Sequence, residues 1–257
     1  MINARVVRGV VGVAGLLAVA ELIGRSGVVD PVLLPRMSAV LAGAAELLVD
    51  PRFLSDISGT LLVWGGGLLI AVVVAAPLGI LLGSLPKADL AARPLVEFLR
   101  PIPSIVLIPL VTFLLPWDHG VKMTVVVYAA LWPVLINTMY GLRDVDPLAK
   151  ETLRSFGFGK LAVLRRVSLP SAAPFVVTGV RVATSIALIV TISAELLAGG
   201  SDGIGAYMIR AQAGFRTDLV LAATVWTGVL GFAANALLVR AHRWAFRWHV
   251  VKAGGAT

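Results

Sequence analysis

Residues 146–174 read DPLAKETLRSFGFGKLAVLRRVSLPSAAP, a polar and basic interlude between two long apolar segments. Asp146 is placed to N-cap a helix, and Pro147 suits its first position, where a missing N–H breaks no intrahelical bond. The helix is predicted to run to Phe156 and to stop at Gly157, a residue free to turn left-handed. A second amphipathic piece follows, with Leu161, Leu164 and Val167 on one side and Lys160, Arg165 and Arg166 on the other. Leu169-Pro170 is expected to end it. The stretch thus predicts a helical hairpin, 146–170, flanked by apolar chain. A structured, charged hairpin in that setting suits the docking of a soluble partner. The alternative is an ordinary loop whose basic residues only orient the protein.

The setting is a membrane. The 257 residues are 58% hydrophobic and 14% charged, with a mean hydropathy of +0.94, outside the usual range of soluble domains. With no cysteine the chain has no disulfide, thiolate metal site or cysteine nucleophile. His119, His242 and His249 are too scattered for a metal cluster. The net charge of +8 comes from basic residues that mostly flank apolar runs. That placement fits membrane topology and argues against a nucleic-acid footprint.

Outward from the hairpin, residues 121–142 read as a span leading into it, and 172–198 as a span leading away. The second carries Arg181 and Glu195 in or near the bilayer. Fourteen residues separate them, about 21 Å along a helix, so they cannot pair on one helix. Ionisable residues there are functional candidates, with a structural ion pair or a snorkelling side chain as the alternative. Further upstream, 101–117 is apolar but interrupted by Pro101, Pro103, Pro109 and Pro116. A broken helix frees carbonyls that are tolerated beside protein or a water-lined cavity, which makes this segment a pathway candidate or else a kinked packing helix.

Asp118-His119-Gly120 is expected to turn, and Lys87, Asp89, Arg93, Glu97 and Arg100 to form a charged loop. Residues 59–85 are a clear span, with Gly79 and Gly83 spaced for close helix packing, either against a second copy or with no special role. Residues 38–48 suit an amphipathic helix between prolines. Residues 6–24 are read as a first span, with Glu21 near the outer interface; a signal peptide cut after Ala18-Val19-Ala20 is the other reading. Downstream, 200–217 form an external loop with a short helix and 218–239 a sixth span. Arg240, Arg243, Arg247 and Lys252, interleaved with Trp244, Phe246 and Trp248, form an interfacial anchor.

Six spans put both termini on one side. That side collects fifteen of the 22 Lys and Arg, including those of the hairpin, against six on the other. By the positive-inside rule it is cytoplasmic. The chain has no nucleotide site of its own: Gly159-Lys160 is followed by Leu161, not Ser or Thr, and Arg154 stands where a phosphate loop needs its first Gly. Gly157-Phe158-Gly159-Lys160-Leu161-Ala162 fits G-x-G-x-x-A, but no strand precedes it. HExxH and GxSxG are absent, so an intramembrane enzyme has little support.

The hairpin resembles the EAA loop of ABC-transporter permeases. Glu151-Thr152-Leu153, three residues, Gly157, nine residues and Val167-Ser168-Leu169-Pro170 follow its EAA-x3-G-x9-I-x-LP spacing, with Thr, Leu and Val replacing two alanines and the Ile. RPIPSIVLIPL at 100–110, PFVVTGVRVA at 174–183 and ISAELLAGGSDGIGAYMIRAQAGFRTDLV at 192–220 look like the nitrate, sulfonate and taurine branch. The likeness extends over about 30–250. It implies an all-α type I importer permease, one transmembrane domain over 1–257, in a bacterial inner membrane, acting as a homodimer. Its implied partners are two cytoplasmic ATPase subunits that use the ATP, an external solute-binding protein and membrane lipid, with no cofactor on this chain and no nucleic acid.

The resemblance also makes the hairpin a coupling element, carried by Glu151, Gly157, Leu169 and Pro170 with Ala149, Arg154 and Phe156 beside them. The substrate pathway would involve Arg181, Glu195, Pro101, Pro103 and Pro109. The expected solute is a small anion; an uncharged or cationic solute such as a pyrimidine vitamin precursor, or a transporter driven by an ion gradient, are the rival readings.

Overall fold

The computed structural model describes residues 4–30, 32–200 and 202–245, and every regular element among them is helical. In order these are α1 (Ala4–Arg25), α2 (Met37–Leu47), α3 (Pro51–Ser84), α4 (Pro86–Leu99), a 3-10 turn (Ser104–Leu107) and α5 (Ile108–Leu114). Then come α6 (Asp118–Arg143), α7 (Pro147–Ser155), α8 (Lys160–Val163), a π turn (Leu164–Ser168), α9 (Leu169–Ala198), α10 (Ile204–Ala213) and α11 (Thr217–Ala245). The described residues form two compact units. One holds the residues up to Thr60 with Gly200–Leu230, the other Leu61–Gly199 with the residues from Gly231 onward.

In the second unit, small residues bring helix backbones together. A Cβ built on Gly67 would lie 2.7 Å from Val126 Cγ1, one on Gly79 2.6 Å from Thr138 Cβ, and one on Gly83 3.1 Å from Leu142 Cβ. Ala71 and Ala75, with no exposed surface, continue the same ridge at four-residue spacing. The three pairs keep a constant sequence offset, so α3 and α6 run parallel. The Gly79 and Gly83 pair is therefore used inside the chain, against α6. On the other side of α6, Gly141 meets Phe175 and Gly179 meets Asn137 and Val134. These pairs run in opposite directions, so α9 is antiparallel to α6. At the last helix Arg181 bonds Asn235 and Gly231 packs on Leu188, which makes α11 antiparallel to α9. Val125, Val126, Ala130 and Val134 of α6 are fully buried, which makes α6 the centre of this unit.

Parallel α3 and α6 require the chain between them to return across the bundle, and two expectations change there. The charged stretch 87–100 is helix α4, with Pro86 at its first turn and Asp89 and Arg93 paired at i,i+4. It runs antiparallel to α6, since Asp89 meets Arg143 while the Tyr128 hydroxyl donates to the Leu99 carbonyl. Fourteen residues of helix carry Arg100 about 21 Å away from the α3–α4 turn, so it does not belong to a surface loop. The expected span 101–117 is likewise broken: Pro101 and Pro103 lie in a bend of 82°, and Pro109 opens α5 in its first turn, where it is tolerated. Among the described residues five helices are long and apolar enough to cross a membrane, six where the bent α4–α5 pair is counted as one span.

Other boundaries also move. Asp118, His119 and Gly120 form the first turn of α6, and the chain reverses at Pro116-Trp117 instead. Helix α3 starts at Pro51, ahead of the expected 59. Leu169-Pro170 does not end the hairpin's second helix. The π turn leads straight into α9, and Pro170 sits in that helix's first turn.

In the first unit, α2 is the amphipathic helix expected at 38–48, with Val40, Ala44 and Leu47 buried and the Trp226 indole donating to the Ala44 carbonyl at 2.8 Å. The Glu21 carboxylate pairs with Arg25 at 2.6 Å and accepts from the Ser38 amide at 2.9 Å, which ties the end of α1 to the start of α2. The buried Asp56 accepts from the Gly203 amide and pairs with Arg210, while Thr60 accepts from the Ile204 amide. These contacts fix the start of α10. Tyr207 packs edge-on against Phe53 at 5.0 Å, and burial pushes its phenol pKa up. Phe246, Arg247, Trp248 and Lys252 of the expected anchor lie outside the described residues.

The glycine ridge gives a stability prediction. Gly79→Val forces a side chain into Thr138 and should lower stability by about 1–3 kcal/mol, read as a fall in the melting temperature of the detergent-purified protein. Gly228→Ala, where a Cβ meets nothing within 4 Å, should leave it unchanged. Equal melting temperatures for the two variants would contradict the packing.

Candidate functional site

The hairpin is built from its ends inward. Asp146 caps α7, its carboxylate accepting from the Leu148 amide at 2.8 Å, with Pro147 at the first helical position. At the other end the Gly157 amide donates to the Arg154 carbonyl at 2.9 Å and the Phe158 amide to the Leu153 carbonyl at 3.2 Å. With Gly157 at φ +83°, this pair of bonds is a Schellman motif. No atom lies within 4 Å of where a Gly157 Cβ would sit. The requirement for glycine is therefore conformational and not steric. Beyond it, the Arg166 guanidinium lies 4.7 Å from the centre of the Phe158 ring, tying the turn to the π segment.

A contact not foreseen from the sequence joins the hairpin to the bundle. The Lys150 ammonium donates to the Leu142 carbonyl at 3.2 Å, satisfying a C-terminal acceptor of α6. Val145, Val163 and Ser168 are buried behind the hairpin. Its outer surface is open: α7 has no buried residue, and Leu148, Phe156 and Leu161 are each at least two-thirds exposed. Glu151 and Arg154 are exposed, Ala149 and Leu169 half-buried, and Pro170 exposed. Glu151 takes part in none of the ion pairs found among the described residues, and Asp146, not Glu151, supplies the cap. The surface is thus a rigid helical ledge with exposed apolar side chains and an available carboxylate.

The pathway candidates are not gathered in one place. Pro101 lines a cavity of about 520 Å³ between α3, α4 and α6, with Arg93, Arg100 and Arg143 and the acids Asp89 and Glu97 around it. Pro103 and Pro109 are exposed and do not line it. Arg181 is exposed in mid-helix on α9, its Nε donating to Asn235 Oδ1 at 2.8 Å. Glu195 is 1% exposed, held inside the packing of α9. The 21 Å separation of the two along α9 stands. Lys122, one of the six Lys and Arg counted on the less basic side, is 1% exposed and pairs with Asp118 at 2.7 Å. The i,i+4 spacing of Asp118 and Lys122 was the signal for that pair.

Comparison with known proteins matches residues 75–247 to the family described as "Binding-protein-dependent transport system inner membrane component". This chain belongs to that family. A probable ABC transporter permease of Brucella melitensis is 31% identical over 217 residues, covering 84% of this chain and 88% of that one. The SsuC protein of Bacillus subtilis, whose name assigns it to aliphatic sulfonate transport, is 27% identical over 241 residues, covering 94% and 87%. The bicarbonate transport system permease protein CmpB of Synechococcus elongatus is 29% identical over 182 residues, covering 70% and 65%. The protein is a multi-pass inner-membrane permease subunit of an ABC importer, and a permease is not itself an enzyme. Members of the family work with an ATPase and a solute-binding protein.

Loss of the N-cap should loosen the ledge without touching its outer surface. Asp146→Ala is expected to cost the hairpin about 1 kcal/mol, measured as roughly fivefold faster hydrogen exchange of the α7 amides. Unchanged exchange would show that the hairpin does not depend on this cap.

Proposed function

We propose that the hairpin is the docking and coupling element for a cytoplasmic ATPase, and that the permease moves a small anion into the cell. The observation that carries the first part is the rigid, outward-facing ledge formed by α7 and its Schellman turn. Its exposed Leu148 and Phe156 suit an apolar groove, and the exposed Glu151 suits a cationic partner residue. Gly157, Leu169 and Pro170 hold the geometry, and Ala149 and Arg154 flank it. Two ATPase copies bind and hydrolyse the ATP, two copies of this chain form the pathway, and an external binding protein delivers the solute. Closure of the ATPases moves the hairpins as levers, and the bundle exchanges inward-open for outward-open states. The charge asymmetry along the chain supports placing the hairpin and both termini in the cytoplasm.

The anion reading rests on Arg181. It is a mid-span cation whose hydrogen-bond partner is the neutral Asn235. An exposed guanidinium there is costly unless it faces water, a ligand or a second chain. The names of the relatives, sulfonate and bicarbonate, are both those of small anions. Arg100 and Pro101 at the 520 Å³ cavity, with Glu195, Pro103 and Pro109 elsewhere in the bundle, complete the proposed pathway set.

Two variants test the two parts. Gly157→Val should assemble in the membrane yet lower transport-coupled ATP hydrolysis, because a β-branched residue in the left-handed region costs about 1–2 kcal/mol. Normal coupling would remove the lever role. Arg181→Gln should reduce anion uptake at least tenfold at unchanged protein level; unchanged uptake would take Arg181 out of the pathway.

A further inference from the structure

Between the hairpin and the ends of α3 and α6 lies a second cavity, of about 350 Å³. It is bounded by the end of α3, the end of α6, α7, α8 and the π turn. Three cations line it from two elements, Lys150 and Arg154 one turn apart on α7 and Lys160 at the start of α8, with the Ser84 and Ser168 hydroxyls beside them. No carboxylate is among its lining residues. That sets it apart from the larger cavity, whose arginines are balanced by Asp89 and Glu97.

Like charges at i,i+4 on one helix repel by roughly 0.2–0.5 kcal/mol, and here a third cation is added with no acid in the cavity's lining. An anion would relieve this. The walls narrow the choice of anion, because Leu85 and Leu161 line the same cavity and are 49% and 67% exposed. A cationic floor beneath exposed aliphatic walls fits an amphiphile better than a free ion. The level fits as well: Ser84 and Arg143 end the two parallel helices α3 and α6, so the cavity sits where they leave the apolar bundle.

We propose that this cavity binds the phosphate headgroup of an anionic phospholipid, with its acyl chains along Leu85 and Leu161. The lipid bridges α7, α8 and the end of α3, and so stiffens the hairpin from behind. The inference rests on the cytoplasmic placement of the hairpin proposed above, since basic pockets at that face meet the anionic leaflet.

The test is native mass spectrometry of the full-length permease in detergent, titrated separately with phosphatidylglycerol, with phosphatidylcholine and with inorganic phosphate. The wild type should retain phosphatidylglycerol in preference to phosphatidylcholine. The Lys150→Gln, Arg154→Gln, Lys160→Gln triple variant should bind it about 100-fold more weakly, at about fivefold per cation removed. Lys150 also caps α6, so the Arg154→Gln, Lys160→Gln double variant is measured alongside and should lose about 25-fold, as the same fivefold per cation requires. An Arg165→Gln variant, altering a cation that does not line the cavity, should keep the wild-type affinity. Equal retention by wild type and double variant would overturn the site. Displacement of the lipid by millimolar inorganic phosphate would overturn the lipid assignment in favour of a soluble anion. Neither result depends on an ATPase being present, so failure here is separable from failure of the docking proposal.

Discussion

Everything in the larger unit depends on how closely α6 is approached by its neighbours. Gly67, Gly79 and Gly83 on α3, and Gly141 and Gly179 at the contact with α9, let backbone meet side chain where a Cβ would collide. In a bilayer, where lipid is as apolar as leucine, such close packing replaces hydrophobic burial as the force between helices. It also sets direction. Once α3 and α6 are parallel, the segment between them has to cross back, and once α9 is antiparallel to α6, the hairpin joins those two at the end where α6 finishes. The position of the hairpin is thus a consequence of small residues some distance from it.

The hairpin transmits that order outward. Its turn is closed by two backbone bonds at Gly157, its start by Asp146, and its base by the Lys150 ammonium on the Leu142 carbonyl. The continuous run from α8 through the π turn into α9 removes any hinge that a helix end at Leu169-Pro170 would have provided. A force that reaches α8 is therefore passed to α9 through continuous helical backbone, while α7 is joined to α8 by the turn closed at Gly157.

Much of this was legible in the residues. Asp146, Pro147 and Gly157 obey local rules of capping and turn geometry, which need no tertiary information, and the structure places all three as those rules require. The long apolar runs were equally plain. What local reading missed was set by tertiary contact. The stretch 87–100 carries charge enough to resemble a loop, yet Asp89 is paired with Arg93 and Arg143 and the segment folds as a helix along α6. Lys122 counts as a boundary charge by its place beside the expected turn, yet it is buried and paired with the partly exposed Asp118 one turn before it. The Gly79 and Gly83 spacing announced close packing but not the partner, since a helix in the same chain and one in a second copy ask the same of a glycine. At the site, the capped hairpin could be foreseen, whereas the Lys150 contact and the acid-free cavity behind it arise from segments far apart in sequence.

Because the chain contains no cysteine, a single introduced thiol reports without background. The most direct measurement is Phe156→Cys at the tip of the ledge, labelled in membranes with a benzophenone maleimide, irradiated so that the ketone inserts into a C–H bond of whatever it touches, and followed by identification of the adduct. The account predicts one dominant crosslink, to a soluble ATPase subunit, that is protected from a membrane-impermeant maleimide added outside intact cells. Ready labelling from outside, or no crosslink to an ATPase in membranes that hydrolyse ATP during uptake, would contradict it.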